Sequence, residues 1–150
     1  MNDQIKQLEN LRDSILQAIS NFPNTKREEI LFGDWNLKDV IAHLNNWMVH
    51  DIDCLNAVKE NRIPPWEPST DEFNKRGTQA RKSLSWDRLC EEFTKLSSHL
   101  IKTYKEYPPN LLSAKIWPDH PYETPFTFTK SNIDHWTLEL KIIQSKLSQI

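Results

Sequence analysis

Apolar residues recur every three or four positions along most of the chain. Ile5, Leu8, Leu11, Ile15 and Ile19 form one such stripe, which predicts an amphipathic helix from about Asn2 to Asn21. Phe22-Pro23 ends it, because a residue before proline is pushed out of the helical region. Leu37, Ile41, Leu44, Met48, Ile52 and Leu55, flanked by Val40, Trp47 and Val58, form a second stripe ending near Asn61. Asn36 is placed to cap it, with Asp39 at the third helical position as in a capping box. Trp35 and Val40 have the spacing of a hydrophobic staple. Leu89, Phe93, Leu96, Leu100, Tyr104 and Tyr107 predict a third long helix, opening after Ser85 and stopped by Pro108-Pro109. Ile133, Trp136, Leu140, Ile143, Leu147 and Ile150 mark the fourth, which opens at Thr124-Pro125. There threonine caps and proline takes the first helical position, where its missing amide costs nothing.

The breaks between the stripes carry information too. Pro64, Pro65 and Pro68 forbid regular helix around Trp66. Ser69 and Glu72 then have capping-box spacing, which predicts a short helix over Thr70–Thr78. Connections this long in compact domains are often functional, and this one is placed to cover a pocket. Asn110–Glu123 reads as an irregular crossover with a helical turn near Leu111. No segment alternates as a strand does, and no repeat or low-complexity tract occurs. The expected fold is all-α: one domain over residues 1–150, an antiparallel four-helix bundle with a crossover connection.

Composition narrows the function classes. Gly33 and Gly77 are the only glycines, so the glycine-rich phosphate cradles of nucleotide folds are excluded on steric grounds. The 19 basic and 21 acidic residues nearly balance and form no basic stripe, which argues against nucleic acid as partner. Cys54 and Cys90 belong to no CxxC pair and read as small buried hydrophobes in a reducing cytosol. No apolar run approaches the roughly 20 residues that cross a bilayer. Met1–Ile5 lacks a basic region followed by an apolar one, as a signal peptide would have. The expectation is a cytoplasmic protein without a membrane partner.

Five histidines occur: His43, His50, His99, His120 and His135. His43 and His50 are seven residues apart, on one face of the second helix beside Trp47. His135 and Glu139, four apart on the last helix, are neighbours. With a histidine from a facing helix they make a two-histidine, one-carboxylate set suited to Zn²⁺, Ni²⁺, Fe²⁺ or Mn²⁺. The competing reading has His43 and His135 as interior polar groups bonded to each other, to indoles or to water. Trp47, Trp66, Trp117 and Trp136 read either as core or as walls for a flat ligand. Asp51 and Asp134 lie near the histidines as candidate acids or bases. No Gly-x-Ser-x-Gly elbow is present, and neither cysteine has a histidine beside it in sequence.

The segment Gly33-Asp34-Trp35-Asn36-Leu37-Lys38-Asp39-Val40-Ile41-Ala42-His43-Leu44-Asn45-Asn46-Trp47 resembles the helix-two element of the DinB superfamily. With Asp71–Arg76 after the proline loop, Trp86, and Asn132-Ile133-Asp134-His135-Trp136, nearly the whole chain is similar to the ClbS/DfsB branch of that superfamily. The resemblance implies a DinB-like four-helix bundle, often a homodimer. Many DinB-like proteins hold a metal with three histidines, one on helix two and two in a His-x-x-x-His on helix four. His43 and His135 match the first two positions, and Glu139 stands at the third, a departure from the pattern. Three functions follow as expectations. The first is a ClbS/DfsB-like protein that neutralises or hydrolyses a reactive small molecule in a pocket including His43, Trp47, His50, His135 and Trp136. The second is a divalent-metal hydrolase or thiol transferase using His43, His135 and Glu139. The third is a non-catalytic binding or dimerisation module.

Overall fold

The computed structural model describes residues 1–150. It is all-helical: α1 spans Asn2–Ser20, α2 Leu37–Lys59, α3 Thr70–Ala80, α4 Trp86–Lys105 and α5 Pro125–Leu147. Short 3-10 turns occupy Asn24–Lys26 and Pro109–Leu111. The pairings Phe32–Trp35 and Trp117–His120 are isolated bridges within the connections, not strands. No helix is long and apolar enough to cross a membrane.

The helix boundaries follow from local chemistry. Asn36 accepts from the Asp39 amide at 3.0 Å, while Asp39 accepts from the Asn36 amide at 3.1 Å. Each side chain thereby satisfies a backbone donor that the helix start leaves unpaired. At the other end α2 stops at Lys59, two residues earlier than the apolar stripe suggests. Asn61 turns left-handed there, with φ of 55°. The Arg62 and Asn61 amides then reach back to the Ala57 and Val58 carbonyls, the Schellman arrangement. Ser69 caps α3 through the Glu72 amide, and α3 runs two residues beyond the expected Thr78. In α5, Thr124 and Thr127 cap reciprocally around Pro125. Ile150, expected to close the α5 stripe, lies past the helix end and is exposed.

The four long helices pack chiefly as α1 on α5, α5 on α2, α2 on α4 and α4 on α1. Leu8, Ile15, Leu37, Ile41, Phe93 and Ile143 are fully buried between them. The short α3 lies against α2, and Gly77 is what lets it approach. A Cβ at Gly77 would stand 2.2 Å from Asn46 Nδ2 and 2.8 Å from Asn46 Cβ. This close approach brings the α3 side chain Asn74 within reach of α2. Buried polar residues concentrate on α2 and α5: His43, Asn45 and Asp51 on the first, Thr129, Asn132 and Glu139 on the second.

Candidate metal centre and cavity

Helical spacing sets two facing stripes. On α2, residues 43, 47, 50 and 51 share one flank. On α5, residues 128, 132, 135 and 139 do the same. Where the flanks meet, a cavity of about 470 Å³ opens, lined by His43, Trp47, His50, Asp51, Asn132 and His135 among others. Its size falls in the range of about 300–1,000 Å³ usual for small-molecule sites. The proline-rich connections close one side. Trp66 stacks on His120 at 3.6 Å and meets Trp117 edge-on. The Trp117 indole N–H donates to the Pro64 carbonyl at 2.8 Å, tying one connection to the other.

At one end of the cavity three ligand-type atoms converge. His43 Nε2 and His135 Nε2 are 2.7 Å apart. Glu139 Oε1 lies 3.5 Å from the first and 3.3 Å from the second. Ligands each about 2.0–2.1 Å from a common ion stand about 2.9 Å apart at a right angle and about 3.4 Å apart at a tetrahedral one. The three separations bracket those values. His43, His135 and Glu139 are also the one group of three or more such residues whose ligand atoms gather within 4.8 Å.

Asn74 sets the orientation of His43. Its Oδ1 accepts the Trp47 indole N–H at 2.7 Å and lies 3.0 Å from His43 Nδ1. An indole nitrogen can only donate, so the atom it meets is the amide oxygen, and His43 Nδ1 carries a proton toward it. His43 Nε2 is thereby left to accept or to ligate. Trp35 holds the ring from another side, with centroids 4.7 Å apart. Such a partner on the far ring nitrogen is the usual support of a metal-binding histidine.

The electrostatics point the same way. With one proton per ring, the trio offers a single N–H, on His135, to the His43 lone pair and the Glu139 carboxylate. Glu139 is 3 % exposed, and its Oε2 is buried without a hydrogen-bond partner. Burial alone would raise its pKa. When both rings carry their second proton, hydrogen bonds from His135 and His43, and their charges, outweigh that and hold the carboxyl at about 2, below its ordinary 4.5. A cluster so rich in acceptors is completed by positive charge, which a divalent ion supplies. The residues present therefore suit a metal of the Zn²⁺, Ni²⁺, Fe²⁺ or Mn²⁺ kind.

A second polar chain lines the same cavity. Asp51 Oδ1 is 3.0 Å from His50 Nδ1, and Asp51 Oδ2 accepts from Asn132 Nδ2 at 2.7 Å. Asn132 Oδ1 in turn accepts the Tyr104 hydroxyl. Cys54 sits 3.7 Å from His50 Nε2, but it is fully buried and its thiol pKa is pushed up by burial, then by the Asp51 charge. Burial likewise pushes the Cys90 thiol up to about 11. Neither cysteine is a ready thiolate nucleophile.

Of the residues singled out from sequence, the structure brings His43, Trp47, His50 and His135 together around the cavity, with Glu139 buried behind the histidines. Trp66, Trp117 and Asp51 also line it. Trp136, expected in the pocket, does not: it is 1 % exposed in the core beside Phe93. One residue on from His135 is about 100° further round a helix, which turns it inward. Asp134 is exposed and His99 likewise, both away from the cavity. Asn74, Asn132 and Tyr104 carry roles that sequence reasoning did not assign. Asn132 lies one turn before His135 on the same flank, a local signal that was present. Asn74 comes from another helix, and its one signal was its place in the Asp71–Arg76 segment. Comparison of the chain with protein-family models, with curated proteins and with solved structures finds no match.

Proposed function

We propose that the protein is a DinB-like four-helix bundle whose inter-helix cavity is the active site of a divalent-metal-dependent hydrolase acting on a reactive small molecule. One observation carries the reading: His43, His135 and Glu139 aim three ligand atoms at a common point on the wall of a small-molecule-sized cavity. The order α1–α5–α2–α4 around the bundle leaves α4 and α5 diagonal to each other. The connection between them then crosses the bundle end, which supports an antiparallel bundle with a crossover.

His43, His135 and Glu139 would hold the ion, and a bound ion would supply Lewis acidity toward a water or a thiol. The protein's own groups do the rest. Asn74 keeps the His43 proton on Nδ1. The indoles of Trp47, Trp66 and Trp117 exclude water and give a flat molecule surface to lie on. Asp51 accepts from His50 Nδ1 and so leaves His50 Nε2 as the proton-handling atom of the cavity.

The test is the metal content of untagged protein by mass spectrometry, beside a His43→Ala/His135→Ala control. Near-stoichiometric metal that disappears in the control is the expected result. Protein that stays metal-free after incubation with Zn²⁺, Ni²⁺ and Mn²⁺ would sink the metal-dependent reading.

A further inference from the structure

The cavity has a second end with different chemistry. Asp51 lies eight residues beyond His43 on α2, about 12 Å along the helix axis. It is 7 % exposed and lines the cavity. A buried carboxylate is ordinarily matched by a permanent cation. Asp51 has none: its partners are His50 and Asn132. Glu123 lines the same cavity, and its carboxylate has neither a hydrogen bond nor an ion pair, although the residue is half-buried. Glu67 is a third carboxylate on the lining, paired with the mostly exposed Arg76. No lysine or arginine lines the cavity. The indoles of Trp47, Trp66 and Trp117 line the same cavity.

These three carboxylates do not gather on one point as a metal ion would require. They are spread around aromatic walls, which suits a charge carried on a larger, softer group. An indole face attracts a cation through its quadrupole, most strongly when both are shielded from water. Three carboxylates in a partly enclosed space repel an anion and have no use for a neutral ring.

We propose that this end of the cavity takes a small organic cation, so that the substrate carries a protonated amine or quaternary ammonium group held by Asp51, Glu123 and Glu67 against the three indoles. The inference rests on the cavity's being the substrate site, and it names the class of substrate.

Three probes of similar size test it on the full chain by calorimetry: benzyltrimethylammonium, benzyl alcohol and benzoate. The cation should bind at least about tenfold more tightly than the other two, and added salt should weaken it. Glu123→Gln, on a half-buried loop position, should lose severalfold in cation affinity with its helical circular dichroism unchanged. Asp51→Asn should lose more. Equal binding of benzyl alcohol or benzoate, no saturable binding of the cation, or an unaltered Glu123→Gln protein would each overturn the proposal. The titrations are repeated on zinc-treated wild-type protein and on the His43→Ala/His135→Ala variant. Cation preference in protein that holds no zinc keeps this inference while the metal reading fails. Zinc binding without cation preference does the reverse.

Discussion

The two flanks of α2 show how one helix serves two ends. Leu37, Ile41, Leu44 and Leu55 are fully buried apolar side chains in a core shared with Leu8, Phe93 and Leu100. None of these side chains can titrate, and they interlock. The flank turned to α5 is also buried but carries His43 and Asp51 opposite Glu139 and Asn132. On that flank acceptors outnumber donors, and Glu139 Oε2 stays unpaired. A natural core seldom keeps a buried polar atom without a partner, because each costs about 1–3 kcal/mol. The apolar flank holds the fold together. The polar flank gives up stability, and its His43–His135–Glu139 cluster is one that a charged ligand would complete.

Mutations should separate the two flanks. The largest effect belongs to the apolar one. Phe93→Ala, at a position with no exposure, should cost about 3–5 kcal/mol of unfolding free energy, read by denaturant titration. A milder loss would mean that this core repacks readily.

Next comes the pH dependence of the metal-free protein. The Glu139 carboxyl is held at about 2 in the folded state against 4.5 ordinarily. A depressed carboxyl pKa contributes stability that is present above the unfolded value and lost as pH falls through the folded one. Wild-type protein should therefore lose about 3 kcal/mol between pH 4.5 and pH 2 that Glu139→Gln does not lose. Parallel curves for the two proteins would show that the histidines do not hold this carboxylate ionised.

The smallest effect on stability should be the most informative about the site. Asn74→Ala removes the acceptor shared by His43 and Trp47. It should lower zinc affinity about 10- to 100-fold, measured by competition with a chelator, and change the melting temperature little. Unchanged affinity would mean that the packing of Trp35 alone fixes the His43 ring.

Most of the fold was legible residue by residue. The stripes through Ile5–Ile19 and Leu89–Tyr104, the Asn36–Asp39 box, and the stops at Pro23 and Pro108 act within one or two turns of chain. A local pattern suffices to read them. Two of the three residues of the candidate metal centre were legible on the same ground, since His135 and Glu139 are one helical turn apart, and the resemblance of the Gly33–Trp47 segment named His43 as the third. The rest involves partners far apart in sequence. His43 meets His135 across 92 residues and Asn74 across 31.

The fate of each tryptophan shows the same boundary. Trp47 and Trp136 both fall on or beside an apolar stripe, yet the first walls the cavity and the second fills the core. Trp66 and Trp117 lie in irregular segments, and their meeting depends on where two proline-rich connections are carried by the helices they join. By itself the sequence determined an all-helical chain, its caps and stops, and the pair His135–Glu139, because backbone geometry and neighbouring side chains act over a few residues. Only the tertiary structure decided that α2 and α5 part around a cavity, that Asn74 orients His43 beside the pair, and that the acids of the far end go without a lysine or arginine. Those facts depend on which flanks of separate helices come face to face, and no single helix carries that information.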